Sequence, residues 1–504
     1  MAMVVETRSG RVEGILRDGV QTFLGLPYAR PPLGARRFAA PEREEPWSGV
    51  RRADAFGPSA PQQPLALPLP GMDVGPMDED CLYLNVYTPA ADAGRRPVLF
   101  WIHGGGFVIG SASQPIYDAA HLAKRGDVVV VTINYRLGPL GFLHLSDLCP
   151  DLDGAIGNAG IRDQVAALEW VRDNIAAFGG DPDCVTIFGE SAGGMSVSTL
   201  LGMPGARGLF SRAIPQSGAA HNVHTRETAT QVAEHFLAGL GVSPASASTV
   251  LRETSPDRML DTQQQTMLKL GSTLGLLPFQ PLMDGDALPE APLQAVRAGS
   301  ASGVDLLTGT TRDEWKLFGM MDPGVAKLDE AGLLKRLSGQ MAESDARAVL
   351  DVYRDSRPGA TPTELYFALE TDRVFRIPAI RLAEAQVAHR ARTFMYRFDW
   401  ESPSLGGALG ACHAVELAFV FGLLDKEGAQ LFAGGGPEAA RLSENVMDAW
   451  IAFARTGDPS IDALPEGRFP PYDPERRSTA ILDRECAVEI DPASREREAW
   501  EGIL

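Results

Sequence analysis

The pentapeptide Gly189-Glu190-Ser191-Ala192-Gly193 joins an apolar run that reads as a strand to a stretch that reads as a helix. A serine hydroxyl is lifted clear of the backbone only on a very sharp strand-to-helix turn, and small flanking residues make that turn possible. Ser191 is therefore a candidate nucleophile for acyl transfer. At neutral pH a serine needs a base within hydrogen-bond reach and a third group that holds the base's orientation and tautomer. Among eight histidines, His413 fits best, because it follows the last predicted core strand in a loop led by Gly406, Gly407 and Gly410. His221, His224 and His235 fall in or near predicted peripheral helices. The acid belongs at a strand end between serine and histidine, where Leu306 to Glu314 runs. Asp313 and Glu314 both qualify, and periodicity does not choose between them.

A tetrahedral intermediate also needs hydrogen-bond donors aimed at its developing oxyanion. His103-Gly104-Gly105-Gly106 follows a predicted strand directly, and glycines let backbone N–H groups converge on a substrate oxygen without a side chain in the way. The N–H of Ala192, at a helix N-terminus, is the natural partner donor. Neither a GxGxxG pattern nor a Walker lysine accompanies these glycines, so a phosphate cradle is disfavoured.

The elements that must hold these residues are legible in part. Alternating runs at residues 3–15 and 20–26, broken by Gly10 and Gly19, predict short antiparallel strands. Pro97 to His103, Val128 to Tyr135 and Cys184 to Gly189 are continuous β-branched or aromatic runs, as in strands buried on both faces. Ile161, Val165, Leu168, Val171 and Ile175 form one helical stripe, stopped by Gly179-Gly180. Further strands are predicted at Ala213 to Gln216, Val304 to Thr308 and Thr393 to Phe398. Strands alternating with helices imply an α/β fold with a parallel sheet. Residues 225–277 and 323–374 interrupt the alternation and are expected to fold over one sheet end as pocket walls. Residues 60–77, rich in Pro, Leu and Gln, read as a rim loop packed by its own leucines.

With 504 residues and neither a long linker nor an internal repeat, the chain reads as one elaborated domain, residues 1–504. Its net charge of −19 argues against nucleic acid or an anionic membrane as partner. The N-terminus lacks the apolar core of a signal peptide, and no segment is apolar enough to span a bilayer. Five cysteines without paired spacing suit a reducing compartment and suggest no metal site. A cytoplasmic enzyme of bacterial type, with a monomer favoured, is the simplest fit.

With nucleophile, glycine loop, acid and base in chain order, the sequence resembles the type-B carboxylesterase family over nearly its whole length. The resemblance is carried by residues 178–194 around Ser191 and by Glu79-Asp-Cys-Leu-Tyr-Leu-Asn-Val-Tyr87. Residues 23–29, Asn134 to Gly138 and Gln216-Ser217-Gly218 add to it. It implies an α/β-hydrolase fold: a large, mostly parallel central sheet, helices on both faces, and helical insertions over the active-site edge. It further implies Glu314 as the acid, His413 as the base, and the N–H groups of Gly105, Gly106 and Ala192 as the oxyanion hole. Glu190 and Ser217 match positions near the triad from which hydrogen bonds would tune the histidine, and Arg37, Glu79 and Arg136 match framework positions expected to form ion pairs.

The implied activity is cofactor-independent hydrolysis of small carboxylic esters of short to medium acyl chain, through an acyl-enzyme. A lipase aided by Leu65 to Leu69, a carbamate or amide hydrolase, and a non-catalytic binding protein are the alternatives. Secreted relatives bridge the cysteine at the position of Cys81 to one upstream, but Cys81 is the first cysteine here. Residues 60–80 hold no aromatic residue, so the tryptophan of choline-binding relatives is missing. Cys412, beside the proposed base, is placed either in the alcohol pocket or in the packing.

Overall fold

Five consecutive β-branched residues, Val129 to Ile133, are buried without exception and form a central strand of the computed structural model. The structure describes residues 3–64, 71–149, 151–152, 154–275, 277–389 and 392–504. The stretch Leu65 to Leu69 lies outside the described residues. The chain packs as two compact units, one made of residues up to Ile214 with Ala220–Val304, the other of Pro215–Ala219 with Asp305–Leu504.

The first unit contains strands β1 (Met3–Glu6), β2 (Arg11–Arg17), β3 (Val20–Pro27), β4 (Val50–Arg52), β5 (Tyr83–Thr88), β6 (Arg96–Ile102), β7 (Val129–Ile133) and β8 (Gly180–Glu190). Their order is β1-β2-β3-β5-β7-β6-β8, with β4 beside β2. The run from β1 through β3 and β5 to β7 is antiparallel, whereas β7, β6 and β8 are parallel. The parallel register sets Ile102 opposite Gly189, so the glycine loop and Ser191 leave the same sheet edge. Helix Ala159–Asn174 follows the predicted stripe and passes through a 3-10 turn into Gly179, whose φ of 81° ends it.

Strand β9 (Arg212–Gln216) carries the chain from the first unit into the second. The second unit holds β10 (Asp305–Thr311), β11 (Thr393–Phe398), β12 (Ser478–Leu482) and β13 (Ala487–Ile490). Strands β10, β11 and β12 are parallel, and β13 closes the edge antiparallel. Thus Thr393 to Phe398 is not the last strand of the chain.

The interrupting segments are largely helical, and several of their helices carry side-chain caps. Thr225 and Ser255 accept N-terminal N–H groups of helices Arg226–Leu240 and Pro256–Leu274. Thr361 and Glu364 form a reciprocal capping box on Pro362–Thr371. That helix runs through a π turn, Asp372–Arg376, into helix Ile377–Val387.

Buried charges in the framework are paired. In the first unit Arg136 donates to both carboxylate oxygens of fully buried Asp163, at 2.8 and 2.6 Å. Arg37 forks onto Glu79 and caps the carbonyls of Leu251, Arg252 and Thr254. Among the described residues no helix is long and apolar enough to cross a membrane.

Candidate active site

In the first unit, Ser191 sits between the end of β8 and helix Ala192–Gly202 with φ 56° and ψ −124°. This is left-handed backbone for a residue with a Cβ, a strain that concentrates at functional turns. The flanking glycines are dictated by backbone contact. A Cβ on Gly193 would lie 2.1 Å from the Ile102 carbonyl oxygen, and one on Gly189 would lie 2.6 Å from the same atom. Ser191 is partly exposed while its neighbours from Val185 to Leu201 are buried.

The glycine loop touches this turn. A Cβ on Gly104 would come within 2.7 Å of the Glu190 carbonyl oxygen and 3.1 Å of Ser191 Cβ. Gly105 and Gly106 have φ of 110° and 61°, and the Gly105 carbonyl accepts the N–H groups of Val108 and Ile109. Among the described residues the N–H groups of Gly105, Gly106 and Ala192 donate to no acceptor in the chain. His103 lies beneath the loop, stacked on Tyr135 at 4.5 Å, with Nδ1 2.8 Å from the Gly104 carbonyl oxygen. Burial pushes its pKa down to about 4, so at neutral pH it is an uncharged prop. Glu190 is buried directly before the turn.

In the second unit, Glu314 follows β10 and is fully buried. Its Oε1 accepts the Thr311 N–H at 2.8 Å, and its Oε2 lies 2.6 Å from His413 Nδ1. With Nδ1–H directed at the carboxylate, Nε2 is the ring nitrogen that carries the lone pair. The imidazole is flanked by Phe318 and Phe375, each with its ring centroid 4.9 Å away. Phe375 belongs to the π turn, a local irregularity often found at functional sites.

Asp313 has a different task. Its Oδ2 accepts the Ala411 N–H at 3.0 Å, and its own N–H donates to the Ala411 carbonyl at 2.8 Å. It thereby clamps the backbone two residues before His413. Burial would raise its pKa, but the Arg312 and Lys316 charges hold the carboxyl below its ordinary value. Ala414, with φ 65°, turns the chain sharply after the histidine.

Beneath this pair lies a buried network absent from the sequence reading. Trp450 Nε1 donates to Gln216 Oε1 at 3.1 Å, and Gln216 Nε2 donates to Glu416 Oε1 at 3.1 Å. Burial first, and then the Glu314 charge, push the Glu416 carboxyl up to about 7. Gln216 falls within a motif singled out above, and Glu416 lies three residues after His413, which was the available signal. The buried Ser217 hydroxyl has no hydrogen-bond partner among the described residues. Cys412 is fully buried, and burial raises its thiol to about 12, so it is packed and protonated.

Comparison with known proteins decides the family. The model of the carboxylesterase family matches residues 1–500. The chain belongs to the carboxylesterase family. It is 43% identical to the para-nitrobenzyl esterase of Bacillus subtilis (strain 168), across 98% of each protein. It is 38% identical to a phenmedipham hydrolase of Pseudarthrobacter oxydans over 92% of both. A solved carboxylesterase of Geobacillus stearothermophilus superposes with a TM-score of 0.89 at 43% identity, covering 99% of this chain and 100% of that one. The fold is thus the expected α/β-hydrolase fold, with a mixed, mostly parallel sheet. The protein is a carboxylic ester hydrolase of the serine type, and a non-catalytic binding role finds no support.

Proposed function

We propose that Ser191 attacks the ester carbonyl while His413 takes its proton through Nε2 and Glu314 holds the imidazole and stabilises its charged form. The N–H groups of Gly105, Gly106 and Ala192 receive the oxyanion. Collapse expels the alcohol, protonated by His413, and leaves an acyl-enzyme; His413 then activates water to release the acid. The observation that carries this reading is the left-handed backbone of Ser191 at a turn in direct contact with the glycine loop. The short Glu314–His413 bond supports the assignment of acid and base. The buried, unpartnered hydroxyl of Ser217 is available to tune the base, and buried Glu190 is assigned a similar part.

Small esters of short to medium acyl chain are the proposed substrates. Residues 225–277 and 323–374 and the rim loop at 60–77, of which residues 65–70 and 276 lie outside the described residues, are proposed as pocket-wall insertions of one elaborated catalytic domain. The five cysteines, none in a disulfide among the described residues, favour a cytoplasmic enzyme. The test is hydrolysis of p-nitrophenyl esters from acetate to palmitate, with phenmedipham in the panel because one relative is named for it. A maximum at short or medium chains that Ser191→Ala abolishes supports the reading. A maximum at palmitate with activation at an oil interface makes the protein a lipase, and activity surviving in folded Ser191→Ala overturns the nucleophile.

A further inference from the structure

We propose that Gln62 is a positioning residue for the oxyanion loop. The inference rests on the reading of Gly105 and Gly106 as oxyanion donors, and it concerns a residue that no motif singled out.

Gln62 lies in the rim loop but is only 2% exposed. Its side-chain amide clasps the backbone of Gly110 from both sides: Nε2 donates to the Gly110 carbonyl at 2.9 Å, and Oε1 accepts the Gly110 N–H at 2.7 Å. Nε2 also donates to the Ala60 carbonyl at 3.0 Å, so the amide is held by its own loop as well. Planar amide and backbone thus pair as two strands of a sheet would, which fixes orientation as well as distance.

Gly110 is where such a clasp reaches the donors. It has φ 113°, and a Cβ on it would lie 2.4 Å from both the Gly104 carbonyl oxygen and His103 Nδ1. Its backbone is therefore laid directly on the base of the glycine loop. From the other side, the Val108 and Ile109 N–H groups tie the same turn to the Gly105 carbonyl. The loop from His103 to Gly110 is closed on itself, and Gln62 is the side chain that holds the closure down.

The anchor beneath is independent of Gln62. Asn134 Nδ2 donates to the Pro58 carbonyl, while its Oδ1 accepts the Ala112 N–H at 2.8 Å and the Ser111 hydroxyl at 3.1 Å. Ser59 Oγ donates to Ser111 Oγ at 2.6 Å. The start of the rim loop and the segment after the glycine loop therefore share one support. Loss of the Gln62 amide would free the Gly110 peptide without detaching the rim loop. Backbone donors must be aimed before the reaction to stabilise an oxyanion, so the loss should appear in the transition state and not in substrate binding.

The experiment compares wild type, Gln62→Leu and Gln62→Glu with p-nitrophenyl butyrate and with an alkyl trifluoromethyl ketone, whose adduct carries an oxyanion. In Gln62→Leu, kcat and kcat/KM are expected to fall together by about 10- to 100-fold, less than loss of an oxyanion donor outright. KM should stay within about threefold, and affinity for the ketone should fall in parallel with kcat/KM. Gln62→Glu keeps the acceptor for the Gly110 N–H but sets its other carboxylate oxygen against the Gly110 and Ala60 carbonyls, so a loss at least as large as in the leucine variant is expected; Gln62→Asn, too short to make both Gly110 bonds, serves if these variants do not fold. Unchanged kcat and ketone affinity in any folded variant overturn the proposal, as does a loss confined to KM. Wild type that shows no Ser191-dependent esterase activity would instead bring down the underlying functional reading.

Discussion

Glu416 gives the sharpest quantitative test of the buried charge layout. It faces Gln216, Glu314 and His413 inside the second unit, and burial with the Glu314 charge lifts its carboxyl from an ordinary 4.5 to about 7. Below pH 4.5 the folded and unfolded chains both hold this proton. Between there and pH 7 the unfolded chain releases it while the native protein keeps it, so stability falls as pH rises and stays low above pH 7. At about 1.4 kcal/mol per pH unit the full penalty is about 3 kcal/mol, of which about 2 to 3 kcal/mol develops between pH 5 and pH 8. Glu416→Gln removes the titration and keeps the shape. Urea unfolding of both proteins at the two pH values should show the variant gaining about 2 to 3 kcal/mol on wild type between pH 5 and pH 8. Costs of the substitution that do not depend on pH cancel in that difference. A variant-to-wild-type difference that is flat across the range refutes the reasoning, because Glu416 would then be ionised throughout or open to water.

The adjacent carboxylates offer a second test: Glu314→Gln should lower kcat/KM by about 10³- to 10⁴-fold, whereas Asp313→Asn, which touches the Ala411 backbone, should cost less than about tenfold. Steady-state kinetics on one ester decide it, and the reverse order moves the acid by one residue. Gly193→Ala would force a Cβ to within 2.1 Å of the Ile102 carbonyl, so soluble yield and activity should both collapse, while alanine at solvent-facing Gly205 should be neutral. Asp163→Asn leaves Arg136 buried against a neutral amide and should cost about 3 to 5 kcal/mol in a thermal or urea melt.

Where the sequence spoke clearly, the determining physics was local. The elbow could be read because strand, turn and helix follow one another in the chain, and the backbone contacts at Gly189 and Gly193 supply the reason for its glycines. Strands β6, β7 and β8 were legible as apolar runs because both their faces are buried. β13 escaped because its four residues are mostly exposed and carry no apolar run. Choosing between Asp313 and Glu314 took the resemblance, since adjacent loop carboxylates differ only in direction. One turns back to the Ala411 backbone and the other reaches His413. Phe375 and Gln62 had no sequence signal, because a π turn and an amide clasp are set by tertiary contacts with no period of their own.

The central claim is that the acyl group passes through Ser191. The most direct measurement is rapid acid quench of the enzyme during turnover of a p-nitrophenyl ester, followed by mass spectrometry of the intact chain and of its peptides. One acyl group per chain, on the peptide containing Ser191 and absent from Ser191→Ala, is the predicted result. Turnover at full rate with no acylated chain, or with the acyl group on another residue, would contradict it.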